Sequence, residues 1–284
     1  MTHELQTDDL GITPRDIRFE PAEGYARHWL GGDPVGTAVM NALSLTFPDG
    51  ERLFVDAVRH YRERLSPALQ DQARRFIAQE ALHSREHQAL NDLVDPGVYP
   101  VAEILAKIRS RISMARARGP FGMLVSTIAL EHFTAMMAEV HMAAGDRLFA
   151  GAEPRIERLW RWHALEETEH KAVAYDVFME VTRHWHPLRR YWLRVWTMAL
   201  ITLNFTRNIS SHAARLLEAE GYSRRAARTA VRRYVWLSPG IFRLGWRTYF
   251  AWYRPGFHPW QIGSRPEVGA WRDEFDAVAK TSSL

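Results

Sequence analysis

The chain has 284 residues, 46% of them apolar, and a formal net charge of only +4, which allows one large or two modest domains with a sizeable core. It contains no cysteine. That excludes disulfides, thiolate metal ligands and cysteine-held iron–sulfur clusters, and it fits a reducing, cytoplasmic setting.

Residues 1–33 read as an irregular N-terminal arm, and Met1 to Leu10 lack the basic-then-apolar character of a secretory leader. A short helix is predicted from Pro34 to Thr46. Phe47-Pro48-Asp49-Gly50 reads as a break, with Asp49 placed to cap a helix from Glu51 to about Leu65. Ser66-Pro67 is a start signal, a capping serine followed by proline at the first helical position. The helix it opens runs to about Val94, where Asp95-Pro96-Gly97 ends it. A helix from about Val101 to Arg118 follows, then an interruption at Gly119-Pro120 and a helical segment to about Ala144. Glu153-Pro154 opens a helix that runs to about His184, before Pro187. No period-2 strand pattern occurs. The expected fold is therefore all-α.

Two of these helices carry the same motif, Glu80-Ala81-Leu82-His83 and Glu167-Thr168-Glu169-His170, and each is preceded by a lone Glu in a helix of its own, Glu51 and Glu131. Residues three apart on a helix share a face, about 60° apart around the axis. The neighbours on these faces are apolar: Phe54, Val55 and Val58 beside Glu51; Ala73, Phe76 and Ile77 before Glu80; Leu124, Ile128, Ala135 and Ala138 around Glu131. A carboxylate on a core face must be paired, protonated or bound to metal. Four carboxylates and two imidazoles in this order form the ligand set of a di-metal site inside a four-helix bundle of the ferritin-like type. The oxygen and nitrogen donors suit iron, with manganese or zinc as alternatives. His163 and His87 fall in register with the two motifs, as further ligands or as groups that orient a ligand. Glu86, Glu139, Glu166, Glu169 and His132 lie off these stripes and read as supporting or solvated groups.

The expected organisation is an arm (1–33), a di-metal helical bundle (34–186), and C-terminal helices with a tail packed on it (187–284). The stretch from Arg183 to Arg254 is rich in Arg and Trp. Its run from Tyr191 to Phe205 is strongly apolar but short for a bilayer span and interrupted by Arg194, so it predicts a helix packed on the bundle, with peripheral membrane contact as the alternative. The Arg-rich segment Arg224 to Arg233 reads as a solvated face rather than a nucleic-acid site. No nucleophile elbow and no phosphate-binding loop occurs.

Four segments, Phe47 to Glu51, Gln79 to His87, Glu131 to Ala135 and His163 to His170, together with Tyr253 to Trp260, resemble the bacterial family known as predicted metal-dependent hydrolases, over about residues 15 to 265. The spacing His163-x-x-x-Glu167-x-x-His170 is also similar to that of di-iron p-aminobenzoate N-oxygenases. Together these features predict a di-iron carboxylate enzyme that activates dioxygen, with an electron donor, to oxidise a small apolar or aromatic molecule. The alternatives are a two-metal hydrolase, as the family's label implies, and a non-catalytic metal-binding or ferroxidase protein. A homo-oligomer is compatible with either.

Overall fold

The structure is a computed structural model describing residues 11–19, 25–262 and 267–282. Residues 1–10 and 20–24 of the expected arm, and 263–266 and 283–284 of the tail, lie outside the described residues. Among the described residues the fold is all-α, the one strand-like feature being an isolated bridge between Leu30 and Ala152. The helices are α1 (Pro34–Tyr61), α2 (Pro67–Asn91), α3 (Val101–Arg116), α4 (Gly119–Leu148), α5 (Pro154–His170), α6 (Val173–Val181), α7 (Pro187–Ala219), α8 (Arg224–Trp236), α9 (Ile241–Ala251) and α10 (Glu267–Ser282).

Three sequence expectations need correction. The break at Phe47-Pro48-Asp49-Gly50 does not occur, because α1 runs through it. Pro48 has no N–H, so the Ser44 carbonyl one turn earlier loses its helical partner. Helix α2 supplies the replacement: Asn91 Nδ2 donates to Ser44 O at 2.9 Å, and Ser84 Oγ donates to Pro48 O at 3.0 Å. Asp49 is therefore no cap, and its carboxylate meets Arg52 and Arg109 instead. Second, Ser66 precedes α2 but makes no capping bond; its N–H and hydroxyl donate to Glu180. Third, the helix expected from Pro154 to His184 ends at His170 and resumes as α6. At the step, Lys171 Nζ donates to Ile262 O at 2.7 Å and lies over the Trp260 ring. The predicted opening of α5 holds, with Glu153 accepting from Ile156 N at 2.8 Å.

Helices α1, α2, α5 and α4 form a closed ring of neighbours, α1 on α2, α2 on α5, α5 on α4 and α4 on α1. Outside the ring, α7 packs on α1 and α4, α9 on α4 and α10 on α5. One apolar cluster joins Leu43 of α1 and Leu165 of α5 to Leu217, Val231 and Phe275 of the C-terminal helices. Burying each such side chain contributes about 1.5–3 kcal/mol. Helix α4 is long and apolar enough to cross a membrane, but 78% of that apolar window is buried inside the protein, so it is a core helix. The arm joins the core as well: Ile12, Arg15, Ile17 and Phe19 are all buried.

Candidate metal centre

Each helix of the ring delivers its motif residues to one point. Glu51 comes from α1, Glu80 and His83 from α2, Glu131 from α4, and His163, Glu167 and His170 from α5, all buried. His170 Nε2 lies 3.3 Å from Glu80 Oε1, 3.4 Å from Glu167 Oε2 and 3.7 Å from Glu131 Oε2. On the other side, His83 Nδ1 lies 3.8 Å from Glu167 Oε1 and 3.9 Å from Glu80 Oε2. His163 Nε2 is 2.9 Å from Glu167 Oε1 and 3.8 Å from Glu51 Oε1. Two lobes result, Glu51 with His83 and His163, and Glu131 with His170. Glu80 and Glu167 stand between them, each turning one oxygen toward either lobe. Donor atoms within 4.8 Å of one another define three overlapping sets, Glu51–His83–His163, Glu80–His83–Glu167 and Glu80–Glu131–His170.

The residues fit cations. Both carboxylate oxygens of Glu51, Glu80 and Glu131, one oxygen of Glu167, Nδ1 of His83 and Nε2 of His170 are buried and without a hydrogen-bond partner. Buried polar atoms are normally paired, and each orphan costs about 1–3 kcal/mol, more if charged. Electrostatics agree. Burial pushes the Glu51, Glu80 and Glu131 carboxyls well above the ordinary range, and neighbouring carboxylates push them further. Glu167, despite burial, is held well below it by His170. His170 in turn, although burial opposes it, is raised to about 9 by Glu167 and its neighbours. The His83 imidazole is kept well below its ordinary range by burial and by His163. Cations in this dry pocket would take the place of the protons that burial otherwise forces on Glu51, Glu80 and Glu131.

The outer atoms of the imidazoles are fixed by hydrogen bonds, which aims their inner nitrogens at the centre. His83 Nε2 meets Glu166 Oε2 at 3.1 Å, and His170 Nδ1 meets Gln79 Oε1 at 2.9 Å. For His163 the chain is longer. Asn91 uses its amide N–H on Ser44 O, so its oxygen accepts from Ser44 Oγ at 2.7 Å. Ser44 Oγ then accepts from His87 Nδ1 at 2.9 Å, leaving His87 Nε2 to accept from His163 Nδ1 at 2.7 Å. His163 Nε2 is thereby a bare acceptor facing Glu167. His87 sits one layer out, with both ring nitrogens engaged, and belongs to none of the three donor sets. Of the two roles expected of His87, ligand or group that orients a ligand, these bonds match the second.

The remaining acids behave differently. Glu169 accepts from Arg15, Gln79, Arg272 and the Thr13 N–H. Glu166 accepts from Trp162 Nε1 at 3.0 Å and from the Arg15 N–H at 3.1 Å. Glu86 accepts from Arg85 and from the Phe19 N–H. These carboxylates are saturated by donors, whereas those of the centre are not. His132 is bonded to Thr248 O, and Glu139 accepts from Thr248, both away from the centre. The sequence gives no periodic signal for Arg15 or Ser44. Gln79 and Glu166 each precede a motif glutamate, the one clue available.

Comparison with known proteins finds no match among curated proteins and none among solved structures. A family model described as predicted metal-dependent hydrolase matches residues 13–263, nearly the whole chain, and the protein belongs to that family.

Proposed function

We propose that this protein is a metal-dependent enzyme whose two lobes would each hold a cation, with Glu80 and Glu167 offering an oxygen to either one. The supporting observation is the convergence of orphaned, buried carboxylate and imidazole atoms from four helices on one point. In this reading Glu51, His83 and His163 complete one lobe, and Glu131 and His170 the other. Cations bound there would supply Lewis acidity for hydrolysis or, as redox-active iron, electrons for dioxygen. The chain's own contribution is orientation and dryness. Glu166, Gln79 and His87 hold the three imidazoles in the tautomers that face the centre. Phe47, Phe76 and Trp162 close around the rings of His163, His170 and His83 and exclude water.

Hydrolysis is the reaction that the family's description supports, and it is the leading reading. A second reading, oxidation by a di-iron carboxylate centre, rests on the donor pattern itself: one Glu from each of two helices and a Glu-x-x-His from each of two others, as in ferritin-like di-iron and di-manganese proteins. One experiment separates them. Protein from iron-supplemented cells is analysed for metal, then assayed on ester substrates with and without air and reductant. Hydrolysis needs neither air nor reductant. Turnover that requires both, with an absorbance change on admitting air, supports the second reading. Absence of bound metal overturns both.

A further inference from the structure

A cavity of about 60 Å³ lies between α1, α4 and α5, with His163 and Glu167 in its wall and Tyr234 and Ile241 of the C-terminal helices among its remaining lining. Its walls are otherwise almost wholly apolar, and Glu167 is the one acid or base among them apart from the histidines. Besides Glu167 Oε2, which belongs to the centre, two lining side chains carry a polar atom without a partner, Trp160 Nε1 and His141 Nε2. Burial pushes His141 down to about 3, so the ring is neutral at ordinary pH. An unpaired buried N–H is a standing cost that a ligand oxygen would remove. Met40 and Met137 give the wall adjustable width.

We propose that this cavity is the substrate subsite, and that it takes the small, uncharged, largely apolar end of a molecule with one oxygen that accepts from Trp160 Nε1, such as a short alkyl ester. A charged group would be buried there without a counter-ion. The assignment rests on the metal-centre reading for its link to catalysis, but binding is measurable without turnover. Full-length, metal-loaded protein is titrated with methyl acetate and with acetate, small enough for a cavity of about 60 Å³, followed by tryptophan fluorescence and calorimetry. The ester is expected to saturate and to bind at least tenfold more tightly than the carboxylate. Trp160→Phe should weaken the ester about tenfold with metal content unchanged, and Ala164→Phe, which fills the cavity, should abolish binding. Equal affinity for the carboxylate, or full ester affinity in both variants, overturns the subsite. Ester binding that survives in a wild-type protein shown to hold no metal keeps the subsite and removes the metal reading.

The outer face of α7 and α9 carries a different signal. Trp192, Trp196, Leu200 and Leu203 are exposed at spacings of four, four and three on α7, and Trp246 and Phe250 at a spacing of four on α9; Trp196 is 64% and Leu203 67% exposed. Side chains link the two: Thr202 Oγ1 on α7 meets the Tyr249 hydroxyl on α9 at 2.9 Å, and Tyr191 donates to the carbonyl of Tyr253, just past α9, at 3.0 Å. The charged side chains of α7 and α9 are seven Arg and one acid, Glu218; Arg194 is buried and Arg215 pairs with Glu103 and Glu218, while Arg189, Arg207, Arg243 and Arg247 are exposed. We infer that this face docks on an anionic lipid surface. Aromatic rings and Arg side chains both favour a bilayer interface, whereas two copies face to face would oppose Arg to Arg. Flotation of the full-length protein with phosphatidylserine-containing vesicles tests this against pure phosphatidylcholine. Binding should be selective for the anionic vesicles, weakened by salt, and lost in Trp196→Glu/Leu203→Glu with metal content and melting unchanged. No binding to either vesicle, or a solution dimer that the double variant splits, refutes it.

Discussion

At the scale of single residues, the contrast between orphaned and saturated carboxylates separates the proposed ligands from their neighbours. Glu167 and Glu169 are two positions apart on α5 and equally buried, yet Glu169 is surrounded by donors from Arg15, Gln79 and Arg272, while one Glu167 oxygen has none. Replacing Glu80 or Glu167 by Ala should therefore remove at least one metal per chain, as read by elemental analysis; full occupancy in both variants would exclude them as ligands. His163→Ala and His87→Ala should differ in kind. The first removes a donor and should lower metal content or change the metal's spectrum strongly. The second removes only the group that orients His163, so metal should stay, bound about 10–100-fold more weakly. Equal loss of metal in the two would place His87 inside the centre.

At the scale of the helix, Pro48 is the informative element. Read locally, Pro48 and Gly50 terminate a helix, and the local rule fails because the repair comes from Asn91, on another helix. The same bond orients Asn91, and through Ser44 and His87 it sets the tautomer of His163. Asn91→Ala leaves the Ser44 carbonyl unpaired and should cost about 1–3 kcal/mol. In a Pro48→Ala background the residue-48 N–H can pair with that carbonyl, so the cost of Asn91→Ala should shrink; urea unfolding of the double-mutant cycle measures the coupling. Additive costs would show that Asn91 does not replace the bond missing at Pro48. The two Glu-x-x-His pairs were legible for the converse reason. Their spacing is a property of one helix, and the apolar residues on the same faces mark them as inward. Arg15 was not legible, because it comes from an irregular arm and meets α5 only through the tertiary fold. The end of α5 at His170 was not legible either, since Lys171 at that step is held by Ile262 and Trp260, remote in the chain.

At the scale of the whole molecule, the C-terminal helices share an apolar cluster with the ring, so they are expected to be needed for its stability. Removing residues 188–284 would take Leu216, Leu217, Val231 and Phe275 out of that cluster and strip Arg272 from Glu169. The truncated chain should be insoluble or metal-poor; a soluble form holding two metals would show that the ring stands alone. A second whole-molecule property is the response to acid. His212 is buried on α7, remote in the sequence from the centre, and burial, then Lys107, lower it from 6.5 to about 4. In the unfolded chain it takes up a proton near pH 6.5, in the folded chain only near 4. Between these values the unfolded state binds more protons, so stability is full above about 6.5 and falls as pH drops toward 4. The slope from one such group is at most about 1.4 kcal/mol per pH unit. Asn at position 212 has nothing to titrate. The stability difference between wild type and His212→Asn, from urea unfolding at matched metal loading, should therefore move toward the variant as pH falls through this window and stay constant above it. Parallel pH profiles would mean that His212 takes up its proton equally in both states.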